Sequence, residues 1–308
     1  MQHTASEISS QMKRYLGSFE KVLYEEDSQF LDGMKTKSLA NDDIRRYQFW
    51  EWTQGVGLFG VWKLYRETKD ERYMDILINY YERQLKIGLP AKNVNTVTPL
   101  LAMSYVAEEK KNDTYMDICK EWAKWIYEDF PRTREGGLQH ITSDSVNEGE
   151  LWDDTLFMTV LFLANMGRIL GEQKYIDEAE YQFLLHVKYL ADKKTGLWYH
   201  GWTFKGDHNF AGAFWGRGNC WVTAAIPEFL DMVPCSPSVK KFLIGAWHRQ
   251  VETLIQYQEG RPHGIWRAGM AAESTAGSGS HHGSNGFGRR GSSGFLRHSY
   301  GTGEQGLL

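Results

Sequence analysis

Adjacent carboxylates at Asp153 and Asp154, in GELWDDTLFM, are the plainest place in this chain for acid/base chemistry. They stand where a polar loop gives way to an apolar helical run. Asp is favoured at such a start because its carboxylate accepts orphan backbone N–H groups. One cap needs one carboxylate, and neighbours on a helix point roughly 100° apart. One of the pair can therefore cap while the other faces inward. Asp154, which leads TLFM, is the expected inward acid/base, with Asp153 as a further contact beside it. A second constellation is WGRGNCW at 215–221, where Arg217 sits between glycines, next to Asn219 and framed by Trp215 and Trp221. A guanidinium is the natural fork for a substrate carboxylate. YHGW contributes His200 and Trp202, and WEWTQG contributes Trp52 and Gln54. Rings in such polar, Gly-rich company cannot be buried by their own segment and are suited to stacking on a sugar face.

Helices must position these residues, because apolar spacing is helical almost throughout and strand alternation is nearly absent. The pattern predicts nine helices: Ser6–Tyr24, Asp42–Thr68, Glu71–Leu85, Val97–Glu109, Thr114–Phe130, Asp154–Leu170, Tyr175–Leu190, Trp215–Met232 and Ser238–Gln258. Three connections repeat one form: KDERYMD at 69–75, KNDTYMD at 111–117 and GEQKYID at 171–177. A recurring short turn between helices means αα-hairpins stacked side by side. Within each hairpin the first helix is the more apolar and the second amphipathic, as expected of inner and outer helices in a closed double ring. The longer loops all precede inner helices, so they gather at one mouth, where a site would be built.

Composition narrows the function. A hydrophobic content of 42% with 24% charge allows a sizeable core. A formal net charge of -4 gives no reason to expect nucleic acid or an anionic membrane as partner. Three scattered cysteines, Cys119, Cys220 and Cys235, make neither a disulfide framework nor a metal cluster. Neither a secretory leader nor a span of roughly 18 apolar residues is visible, so a cytoplasmic location is the default expectation. Oligomeric state is not readable.

Taken in order, RYQFWEWTQGVGLFGVWKLY, NVNTVTPLLAM, ELWDDTLFMTVLFLA, GLWYHGW and WGRGNCWVTAAIPEFL resemble glycoside hydrolase family 105, the unsaturated rhamnogalacturonyl hydrolases. The resemblance runs to about Trp266. It implies an all-α (α/α)6-barrel and hydration of the C4=C5 double bond that pectin lyases leave on a terminal uronic acid, with no metal or other cofactor. It implies that Asp154 protonates C4 and then activates water, and that Arg217 holds the uronate carboxylate. Trp52, Trp202 and Trp215 would line the sugar, with His200, Gln54, Asn95 and Asn219 as further hydrogen-bonding candidates. An unsaturated glucuronyl hydrolase of glycosaminoglycan fragments shares this fold and mechanism and is the nearest rival. The acid must hold its proton, which calls for a partly dry setting such as Trp152, Leu156 and Phe157 could supply.

After HGIW at 263–266 the chain becomes rich in Gly, Ser, His and Arg and loses its helical period, so residues 1–266 are read as the barrel and 267–308 as an aberrant tail. The resemblance implies a Ser-Tyr-x-Glu loop and two closing helices there. Codons for His282-Gly283-Ser284-Asn285-Gly286-Phe287, read one base later, can spell Met-Glu-Val-Thr-Ala-Ser. A frame shift near Trp266 is therefore expected, leaving the barrel incomplete at its C-terminus. A catalytically inactive carbohydrate-binding remnant is the alternative that such damage makes plausible.

Overall fold

The computed structural model describes residues 23–24, 44–210, 212–259 and 270–271. The helix expected at Ser6–Tyr24 lies outside the described residues except at its last two positions. The tail expected at 267–308 lies outside them except for 270–271. The described helices are α1 (Arg45–Gln48), α2 (Trp52–Thr68), α3 (Glu71–Ile87), α4 (Val94–Lys110), α5 (Asp113–Glu128), α6 (Leu161–Leu170), α7 (Gln173–Leu190), α8 (Gly216–Met232) and α9 (Pro237–Glu259). A π-helical turn, Leu156–Val160, runs straight into α6.

The long helices pair as hairpins, α2 with α3, α4 with α5, α6 with α7 and α8 with α9, and α2, α4, α6 and α8 pack on one another as the inner layer of an α/α toroid. Burial follows this division. From Val94 to Ala107 nearly every α4 side chain is covered, and Leu156–Gly167 is buried throughout. The outer α3 and α5 bury one stripe each, Tyr73, Leu77, Tyr80 and Tyr81 on the first and Tyr115, Cys119, Trp122 and Ile126 on the second.

The repeated turns have a common geometry. Lys69, Lys111 and Gly171 close α2, α4 and α6 in the left-handed conformation, with φ of 54°, 50° and 67°. Only glycine reaches that region without steric cost. Asp70 and Asn112 then cap the following helices, their side chains accepting from Arg72 N and Tyr115 N. The segment expected as one helix over Asp42–Thr68 is instead broken between α1 and α2. Glu51 takes an extended conformation there, and the Gln54 side chain reaches back to accept from Glu51 N–H, which starts a new helix. The helix expected from Asp154 likewise begins later, since Asp153 and Asp154 occupy a turn ahead of the π-helical segment.

Four short strands complete the description: β1 (Glu150–Trp152), β2 (Gly201–Thr203), β3 (Ala213–Phe214) and β4 (Met270–Ala271). The strands β1 and β2 pair antiparallel with Trp152 opposite Gly201, and β3 pairs antiparallel with β4. The first ribbon was not legible as alternation because three residues per strand carry no period. It brings WDD and YHGW, distant in sequence, side by side.

Candidate active site

The mouth lies at the N-terminal ends of the inner helices. Its floor is aromatic: Trp52 at the start of α2 meets Trp221 of α8 edge-on at 5.7 Å, and Trp221 leans on Phe157 at 5.5 Å. Arg217, on the first turn of α8, is exposed and lies 4.0 Å over the Trp215 ring and 5.7 Å from that of Trp52. Stacking on two rings orients a planar guanidinium.

Asp154 is 16% exposed at its side chain, so it reaches the mouth but is largely dry. Burial pushes its carboxyl up to about 6, against the opposing pull of His200 and Arg217. Asp154 stands at the cap of the helix that follows, so the Thr155 backbone N–H also favours the anion, and burial outweighs it. The π-helical turn that follows is a rare geometry, frequent at functional sites.

His140 was not singled out from sequence, yet its Nδ1 lies 3.3 Å from Asp154 Oδ1 and 3.2 Å from Thr155 Oγ1. Its ring stacks on Trp152 at 4.2 Å with 4° between planes. Burial holds it far below the usual histidine range, at about 3, so it is neutral beside Asp154. A lone histidine in GGLQHITSD carries no motif, and only the β1 neighbourhood gives it a partner. Glu51, read as helix interior, was missed as well. It is buried, accepts from the Ser143 hydroxyl, and is pushed up to about 8 by burial against bonds from Ser143 and Asn95.

The other expected site residues divide into two groups. His200, Trp215, Arg217, Trp52 and Trp221 share the mouth with Asp154. His200 sits edge-on to Trp152 at 4.8 Å and to Trp215 at 4.6 Å. Asn95 is half-buried on the first turn of α4 and bonds Glu51. The remainder take part in scaffolding, and for Asn219 and Asp153 this rules out the substrate contacts expected of them. Gln54 uses its Oε1 as the α2 capping partner. Asn219 is fully buried: its Oδ1 accepts from Trp198 N at 2.8 Å and Gln250 Nε2 at 3.0 Å, while Nδ2 donates to the carbonyls of Trp198 and Trp215. A buried amide with its capacity filled has nothing left for a ligand. Trp202 packs its ring on Tyr189 and Phe204. Asp153 is 0% exposed and bonds His200 Nδ1 at 2.7 Å, so it cannot reach a sugar itself. Among the described residues no group of three His, Cys, Asp or Glu side chains could hold a metal ion, and no helix is long and apolar enough to cross a membrane.

The model of the family described as Glycosyl Hydrolase Family 88 matches residues 28–289, past the Trp266 boundary. An unsaturated rhamnogalacturonyl hydrolase from Bacillus subtilis (strain 168) is 29% identical over 219 residues, covering 70% of this chain. The chain spans 63% of that relative's length. A solved protein from Salmonella enterica serovar Paratyphi A, described as a possible member of the GH105 family, superposes with a TM-score of 0.75 at 35% identity, covering 87% of this chain and 70% of that one. The unsaturated glucuronyl hydrolase of Bacillus sp. GL1 shares the fold at a TM-score of 0.52 and 16% identity, over 75% of this chain and 66% of that one.

Proposed function

The chain belongs to glycosyl hydrolase family 88, on its family 105 side, and from that premise we propose that it releases rhamnose from pectin-lyase products by hydrating an unsaturated galacturonyl residue. The observation that carries this reading is one largely dry carboxyl, Asp154, beside a guanidinium held on an aromatic floor. Arg217 takes the uronate carboxylate, and Trp52 and Trp215 take the sugar faces. Protonated Asp154 gives its proton to C4, and positive charge develops at C5 and is shared with the ring oxygen. The resulting carboxylate removes a proton from water as its oxygen bonds to C5. The hemiketal so formed opens at the C5–O5 bond to a ketone, and the hemiacetal left at C1 collapses, releasing the neighbouring sugar. One water is consumed and Asp154 ends protonated, ready for another cycle. A single carboxyl suffices because the double bond is already activated as a vinyl ether. The two-carboxylate arrangement of ordinary glycosidases is not needed.

Galacturonate and glucuronate differ at C4, and the double bond erases that centre. A rhamnogalacturonyl and a glucuronyl substrate therefore present the same unsaturated sugar to Asp154 and Arg217, and discrimination rests on the sugar that leaves. The relationship to a rhamnogalacturonyl hydrolase supports rhamnose. A panel of disaccharides sharing the unsaturated uronyl group but differing in the leaving sugar tests the reading, followed by loss of the conjugated double-bond absorbance. Preference for rhamnose, abolished by Asp154→Asn, is the expected outcome. A folded protein inert toward every member would favour the carbohydrate-binding remnant instead.

A further inference from the structure

Asp153 is an ionisable group beside the mouth that the mechanism leaves unused, and it is wholly buried. Its backbone is fixed by a bond from Asp153 N to His200 O at 2.9 Å, next to the β1–β2 ribbon. Its Oδ1 meets His200 Nδ1 at 2.7 Å, and its Oδ2 has no hydrogen-bond donor among the described residues. The chain leaves room for this carboxylate at Gly218: a Cβ there would fall 2.6 Å from Asp153 Oδ2 and 3.1 Å from His200 Nδ1. The second glycine of WGRGN is thus needed because the carboxylate and the imidazole occupy the space a side chain would take. The first turn of α8 also favours a negative charge there.

We infer that Asp153 is a positioning residue: its carboxylate locks the His200 ring with the proton on Nδ1, which leaves Nε2 to serve the mouth between Asp154 and Arg217. The role rests on the reading of the site as an unsaturated-uronide hydrolase. A carboxylate behind a histidine fixes both ring orientation and tautomer, as in other carboxylate–histidine pairs. Burial alone would lower the His200 pKa, and the charge and hydrogen bond of Asp153 oppose it, so that with Asp154 the net direction is above the ordinary histidine value. Asp154 adds to that rise and Arg217 opposes it. The other titratable groups near the pair are His140 and Cys220.

Asp153→Asn removes the charge and keeps the shape. The expected result is a His200 titration, followed by imidazole NMR, displaced to lower pH, with kcat/KM on the unsaturated galacturonyl-rhamnose disaccharide falling about tenfold or more, chiefly through KM. Added to His200→Asn, the same change costs less than about twofold, since it acts through a ring no longer there. An unmoved His200 titration overturns the inference, as does an equal loss of activity in both backgrounds. Should Asp153→Asn fail to fold, the wild-type protein decides: a proton on His200 Nδ1 at neutral pH is expected, and one carried on Nε2 alone overturns the assignment. The NMR readouts hold even if the wild type turns over no unsaturated uronide, an outcome that would sink the proposed function by itself.

Discussion

At the scale of single residues, the site stores a conflict between stability and chemistry. Asp154 keeps a carboxyl largely out of water, and burial raises it from 3.8 to about 6. A raised carboxyl pKa means the folded chain binds the proton more tightly than the unfolded one. Stability on this account falls as pH rises from about 4 to 6, and the full cost is present above 6. Asp154→Asn removes that cost, so it should raise the melting temperature by a few degrees at pH 7–8, with the gain vanishing near pH 4. At about 1.4 kcal/mol per pKa unit the upper bound is roughly 3 kcal/mol. The same variant should lose essentially all turnover; equal activity would remove Asp154 from its role. For the wild type, kcat/KM should decline as pH rises through about 6, because the acid form of Asp154 is the one that starts the reaction. Arg217→Lys replaces a planar fork stacked on Trp215 by a point charge, and KM should rise about tenfold or more with a smaller effect on kcat. Steady-state kinetics on the disaccharide decide it.

Helix ends and turns explain both what was readable and what was not. The three turns were legible because their residue types repeat, and the structure gives them one backbone geometry. Lys111 occupies a left-handed position that suits glycine, and its side chain is exposed, so Lys111→Gly should stabilise the protein by about 0.5–1 kcal/mol in urea denaturation. Asn219 has the opposite character. Its polar neighbours in WGRGN made it look like a ligand contact, whereas it ties α8 to Trp198 and to Gln250 of α9. Asn219→Ala strands several buried groups and should cost about 2–4 kcal/mol, measured by the same method. Asp153 was misread for the same reason. A polar side chain at a helix start has one appearance in sequence whether it faces a ligand or a neighbouring element.

For the whole molecule, the inner helices α2, α4, α6 and α8 and their outer partners provide four hairpins of a six-hairpin toroid among the described residues. The composition break after Trp266 falls where closing helices are expected. If a shift of frame causes it, sequencing the locus will show a frame past codon 266 whose translation restores helical period, and the protein from that frame should melt at a higher temperature. An intact frame with strong codon bias across 267–308 would sink the idea. The family match to residue 289 sharpens the question, because it carries the relationship into the altered segment.

The sequence by itself determined the helical class, the hairpin repeat, and the company of Asp154, Arg217, Trp52, Trp215 and Trp221 at one mouth. Those follow from periodicity and turn chemistry, which are local, and from loop order along a regular array. Only the tertiary structure decided which polar residues meet the mouth and which brace it. The β1–β2 ribbon sets Trp152 against Gly201 and so delivers His140 to Asp154 and His200 to Asp153. Burial and partners are properties of space rather than of spacing. The dryness that lets Asp154 hold a proton comes from segments far apart in the chain.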